Sequence, residues 1–99
     1  MKKKFRKSIG SDTPTLVYFY APWCVPCKLM RPVVEQVIGE YPEILNYIEI
    51  DVEIKKGIVK RYKIKGVPTL ILFQNGTPLW RHTGVIPIED IKMTLKEHI

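Results

Sequence analysis

The stretch APWCVPCK, residues 21–28, carries the only two cysteines of the chain, Cys24 and Cys27, two residues apart and followed by Lys28. Thiols at this spacing can exchange electrons as a dithiol–disulfide couple, supply half of a metal site, or clip the chain covalently. A structural zinc site needs four ligands, and the only histidines available to complete one are His82 and His98. They belong to different expected elements and show none of the short spacings that mark zinc sites, so no metal is expected. A structural clip is poorly motivated too. Stabilisation by a disulfide grows with the loop it closes, and this one would close only four residues.

The redox reading rests on position. TLVYFY (15–20) is an unbroken β-branched and aromatic run after the turn-forming residues Gly10 to Pro14, which suggests a central strand buried on both faces. Cys24 ends the loop after that strand, and Val25, Pro26 and Cys27 open the helix that follows. Unpaired amides and the macrodipole at a helix N-terminus favour a thiolate, lowering the thiol pKa below its ordinary value of about 8.5. Pro26 suits the first turn, where its missing N–H has no partner to lose. Cys24 is then the attacking sulfur and Cys27, turned inward, the resolving one.

The elements that must position this pair can be read from periodicity. Leu29, Val33 and Val37, with Met30, Val34, Ile38 and Tyr41 on neighbouring rows, predict an amphipathic helix ending near Gly39 to Pro42, with a kink at Pro32. NYIEIDV (46–52) alternates like a strand, and Ile54, Ile58 and Tyr62 mark a short helix weakened by Gly57. VPTLILF (67–73) is another strand. Asn75–Gly76 is a hairpin signal leading into PLWRHT (78–83), and Ile88, Ile91, Leu95 and Ile99 predict a terminal helix. The order strand, helix, strand, helix, strand, strand, helix describes an α/β domain whose first two strands are parallel and joined by a right-handed crossover. No repeat or low-complexity tract interrupts it.

Ninety-nine residues suffice for one domain with a single core. The formal charge of +6 raises nucleic-acid binding, but Lys2, Lys3, Lys4, Arg6 and Lys7 supply five of the sixteen basic side chains, leaving residues 8–99 with eleven basic and ten acidic groups. No basic stripe interleaved with aromatics is evident, so a nucleic-acid partner is not expected and the basic head reads as a solvated end. No stretch approaches the roughly 18 apolar residues of a membrane span, so a soluble protein without a membrane partner is expected. The absence of cysteines beyond the pair suits the cytoplasm. A periplasmic or other extracytoplasmic location would require a leader these residues do not contain.

WCVPCK, GVPT (66–69), FQNG (73–76) and Gly84 together resemble, in order and spacing over residues 13–99, the landmarks of the thioredoxin family. A proline eight residues after the first cysteine, Pro32, adds to the match. The resemblance implies a thioredoxin-like fold: a mixed central sheet of about four strands flanked by helices, with the family's first strand short or absent. Residues 1–12 would be a basic N-terminal segment, a short helix or flexible, and 13–99 the domain proper. It also implies a cis peptide before Pro68, a Val67 backbone free to pair with an extended substrate, and a shallow apolar rim of Trp23, Val67, Gly84 and Val85 around Cys24. Protein disulfides would be the substrates, a thioredoxin-reductase-like donor the partner, the chain a monomer, and no cofactor would be bound.

Three departures stand out. Val25 replaces the usual glycine between tryptophan and proline, which bears on redox potential because about 30 mV corresponds to about 1.4 kcal/mol. Tyr18 stands where the family has a buried aspartate, and Tyr47 matches its lysine partner, a paired loss that avoids a lone buried charge. The N-terminal segment is short. The leading expectation is a protein-disulfide reductase. The alternatives are an exported oxidase or isomerase, a noncatalytic binding module on the same fold, and a zinc-binding domain.

Overall fold

Strand β1 (Thr15–Tyr20) lies inside the sheet with a neighbour on each edge, as its unbroken apolarity requires, in a computed structural model that describes residues 2–99. It pairs in parallel with β2 (Asn46–Asp51) and antiparallel with β3 (Thr69–Gln74), which in turn pairs antiparallel with β4 (Thr77–Thr83). The strand order is β2-β1-β3-β4. Helices α1 (Lys2–Ile9), α2 (Val25–Gly39), α3 (Lys56–Arg61) and α4 (Ile88–His98) complete the chain.

Successive strand residues face opposite sides, so the sheet feeds two cores. Leu16, Tyr18, Leu70 and Leu72 meet Met30, Val34 and Val37 of α2 and Ile91 and Leu95 of α4 on one side. Val17, Phe19, Ile50, Ile71 and Phe73 meet α1 and α3 on the other. The β3–β4 turn has Asn75 at φ 53° and Gly76 at φ 79°, the left-handed pair that a two-residue hairpin needs.

Details differ from expectation at Leu29, Ile54 and Ile99. The buried row of α2 is Cys27, Met30, Val34 and Val37, whereas Leu29 faces solvent. The helix continues through Pro32, which is exposed, so the carbonyl deprived of its amide partner lies on the wet side. Ile54 is likewise exposed and precedes α3. The Asp51 side chain accepts the Glu53 amide at 2.9 Å and its carbonyl accepts those of Ile54 and Lys55, forming a turn that delays the helix. In α4, Ile99 falls beyond the last turn and is exposed.

The basic N-terminal residues form a helix whose inner row, Phe5 and Ile9, is buried while Lys3, Lys4, Arg6 and Lys7 meet solvent. Phe5 packs edge-on against Phe73 and tilted against Tyr62. The hairpin amides of Asn75 and Gly76 bind the Ser11 and Ile9 carbonyls at 2.9 and 2.8 Å, and the Thr15 hydroxyl binds that of Ser8. Phe5→Ala should therefore lower the unfolding free energy by about 3 kcal/mol in denaturant titration while leaving the dithiol chemistry in place.

Candidate redox site

The chain leaves the buried end of β1 through Ala21 and turns at once into α2. The Cys24 amide donates to the Ala21 carbonyl at 3.1 Å, and Cys24 takes an extended conformation (φ −84°, ψ 108°) as the N-cap of the helix. Its sulfur accepts the Cys27 amide at 3.1 Å, a role usually taken by a serine or aspartate oxygen. Pro26 lies in the first turn, as its missing N–H suggests.

Cys24 and Cys27 are joined as a disulfide, with Cα atoms 5.3 Å apart, and both are 3% exposed. Exposure therefore does not distinguish the two cysteines, but position does. Cys24 is the cap, whose sulfur receives the amide in this oxidised state just as a thiolate would in the reduced one. Cys27 belongs to the helix interior.

Around the pair, Trp23, Val25 and Val85 are between 60 and 65% exposed, a concentration of large apolar side chains at one end of the sheet. Val67 and Pro68 enter β3 through a cis peptide bond, and Val67 takes no part in backbone hydrogen bonding among the described residues. The Gly84 amide binds the Pro68 carbonyl at 2.8 Å, with Gly84 at φ 102°, where a side chain would be strained. Thr69 donates to the Gly66 carbonyl at 2.6 Å and lies 3.0 Å from the Thr83 hydroxyl, so the segments 66–69 and 83–85 are bound together. Trp23 and Val67 line one cleft, and Val67 packs against the core cluster that holds Cys24 and Cys27.

The histidines are not part of that cleft. His82 stacks on Trp80 along β4, His98 lies in the last turn of α4, and no metal-binding group of three or more side chains occurs among the described residues.

Three residues of the site were not found from the sequence. Glu53 accepts the Trp23 indole N–H at 2.8 Å and fixes the ring beside Cys24. Arg31 and Glu49 form an ion pair at 2.5 Å below the first turn of α2. Arg31 lies one helical turn beyond Cys27, and Glu49 is the register partner of Tyr18, a relation that becomes visible only once β1 and β2 are aligned.

Tyr18 and Tyr47 bond to different partners. Tyr18, with no exposed surface, donates to the Cys27 carbonyl at 2.6 Å, while Tyr47 donates to Glu49 at 2.9 Å. The Arg31 guanidinium lies over the rings of Tyr20 and Tyr18, 4.8 and 5.8 Å from their centroids. Burial pushes the Tyr18 phenol up to about 12, and burial with the Glu49 contact raises Tyr47 further. Both are neutral donors at physiological pH and neither is a base, so Tyr18 holds the Cys27 backbone without taking its proton.

The fold and this couple define a class of protein, and comparison with known proteins agrees. The family model described as Thioredoxin matches residues 1–97. The chain is 34% identical over 91 residues to a thioredoxin of Porphyra purpurea and 31% identical over 91 residues to thioredoxin 1 of a Nostoc species, in each case spanning 92% of this chain and 85% of the relative. The oxidised form of mitochondrial thioredoxin 3 from Saccharomyces cerevisiae superposes with a TM-score of 0.87 at 27% identity, covering 97% of this chain and 89% of that one. The protein belongs to the thioredoxin family. It is a thiol-disulfide oxidoreductase with protein-disulfide reductase activity.

Tyr18→Phe keeps the ring and removes the bond to Cys27, and should cost about 1 kcal/mol of stability. The folded state holds the Tyr18 proton more tightly than the unfolded chain, whose tyrosines ionise near 10, so this contribution is complete below about pH 10 and fades as pH rises toward about 12. Denaturant titrations from pH 8 to 12 should show that loss in the wild type and a shallower decline in Tyr18→Phe.

Proposed function

We propose that Cys24 is the attacking sulfur and Cys27 the resolving one in the reduction of extended protein segments that expose a disulfide. The Cys24 thiolate attacks one substrate sulfur and expels the other as a thiolate, giving a mixed disulfide. Cys27, deprotonated, then attacks the Cys24 sulfur, releases the second substrate sulfur as a thiolate, and leaves the Cys24–Cys27 disulfide. Two electrons pass from protein to substrate, and the released thiolates take up protons from water.

The observation that carries this assignment is the Cys27 amide directed at the Cys24 sulfur at 3.1 Å, which favours negative charge on Cys24 alone. It makes Cys24 the readier nucleophile, because more of it is thiolate at neutral pH. The unpaired Val67 backbone supports pairing with the substrate chain, and Trp23, Gly84 and Val85 flank it as an apolar rim. Val25 and Pro26 shape the turn between the sulfurs, Val25 placing a branched side chain at the rim.

Regeneration requires a two-electron donor for the disulfide, a thioredoxin-reductase-like protein, and the reaction as written needs no bound cofactor. A monomer in the cytoplasm suits a reductant, because the glutathione and reductase systems there keep dithiols reduced. No helix among the described residues is long and apolar enough to cross a membrane.

Incubation with a disulfide-bonded model protein should accumulate a covalent adduct at Cys24 in Cys27→Ser, none in Cys24→Ser, and only a transient one in the wild type. Mass spectrometry after acid quenching reads all three, and an adduct on Cys27 in Cys24→Ser with none on Cys24 in Cys27→Ser would reverse the assignment.

A further inference from the structure

The net positive charge of the chain comes from two segments that share one layer. Residues 2–7 and 55–65 contain eleven basic side chains and no acidic one, leaving five basic against ten acidic in the remainder. The sequence separates these two segments by nearly half the chain, yet the fold puts α1 and α3 on the same face of the sheet. There Arg6 and Arg61 line one cavity with Phe5 and Tyr62 between them.

This charge is not neutralised within the molecule. The ion pairs among the described residues are Arg31–Glu49 and Lys92–Glu40, neither on this face. Of the six basic residues between 55 and 65, Lys56, Lys60, Arg61, Lys63 and Lys65 are exposed and Lys55 is half-buried. Arg81 adds its guanidinium from β4, donating to the carbonyls of Tyr62 and Lys63. Lys63 has φ 53°, a left-handed conformation in which glycine would be the less strained residue. In the free protein these like charges repel one another, an energy that an anionic partner would relieve.

The face also reaches the redox site. Lys56 and Lys65 line a cleft together with Trp23, Val67 and a single carboxylate, Glu53, which is engaged by the Trp23 indole N–H. We propose that the disulfide substrates of this protein carry an acidic segment beside the disulfide, which docks along α3 toward α1 while the disulfide meets Cys24. The inference rests on the assignment of Cys24 and Cys27 as the reacting couple. Nucleic acid fits the site less well. The aromatic rings on this face, Phe5 and Tyr62, are packed inward, and a polynucleotide has no disulfide for the adjoining couple to reduce.

The test uses three synthetic peptides with one common disulfide, flanked on one side by four glutamates, four glutamines or four lysines, and the reduced full-length protein. The glutamate peptide should react about tenfold faster than the lysine peptide at about 20 mM salt, the two converging to within about twofold at about 0.5 M. The preference should vanish in Lys56→Gln/Lys60→Gln/Lys65→Gln and persist when the same three positions are arginine. Equal rates for the glutamate and lysine peptides at low salt, with the glutamine peptide reduced normally, would overturn the docking surface and leave the redox assignment standing. Failure to reduce any of the three would overturn both. Tight binding of a mixed-sequence DNA duplex at about 0.15 M salt without a glutamate preference would assign the face to nucleic acid instead.

Discussion

Five successive residues of β1, Thr15 to Phe19, have no accessible surface, and a chain achieves this only by covering both edges and both faces of one strand. β2 and β3 take the edges, while α1 with α3 and α2 with α4 take the faces. A chain leaving such a strand must turn sharply over its end to reach a face. The turn from Ala21 to Cys24 does so, and it places a sulfur where a helix begins. The reactive position is thus a by-product of burying a strand, and the dipole and amides at that point are present whatever residue occupies the cap.

What the residue choice adds is seen beneath the couple. The chain uses the neutral Tyr18 hydroxyl to hold the Cys27 carbonyl and keeps its ionised groups further out, in the half-exposed Arg31–Glu49 pair. That arrangement avoids the desolvation of a buried charge and keeps a hydrogen-bond donor in the core. It leaves the Cys27 proton to water or to another sulfur, which separates positioning from proton transfer at this site.

The central strand, the helix after the cysteines and the Asn75–Gly76 hairpin were legible because each rests on a local signal: continuous apolarity, a helical period, or a dipeptide with an unusual backbone preference. The buried row of α2 was legible only to within one residue, since Leu29 and Met30 are equally apolar and the direction of the sheet decides between them. Phe5 and Ile9 were hidden by the lysines around them. Glu53, Arg31 and Glu49 needed strand register. The separation of charge needed more still, because α1 and α3 come together only through the layering of the whole fold. The redox couple itself was legible from the strand-to-helix turn, while its rim depended on the resemblance carried by GVPT and Gly84.

The two sides of the rim are held very differently. Val67, Pro68, Gly84 and Val85 stand at the base of the β3–β4 hairpin, cross-tied by the Gly84 amide and the Thr69 hydroxyl to form one stiff body backed by both cores. Opposite them, the Trp23 indole is 65% exposed and makes one hydrogen bond, to the exposed Glu53. One side of the groove is thus built into the sheet, and the other is held by a single side-chain hydrogen bond. A change at Glu53 releases one ring, whereas a change at Thr69 or Gly84 disturbs the end of the sheet itself.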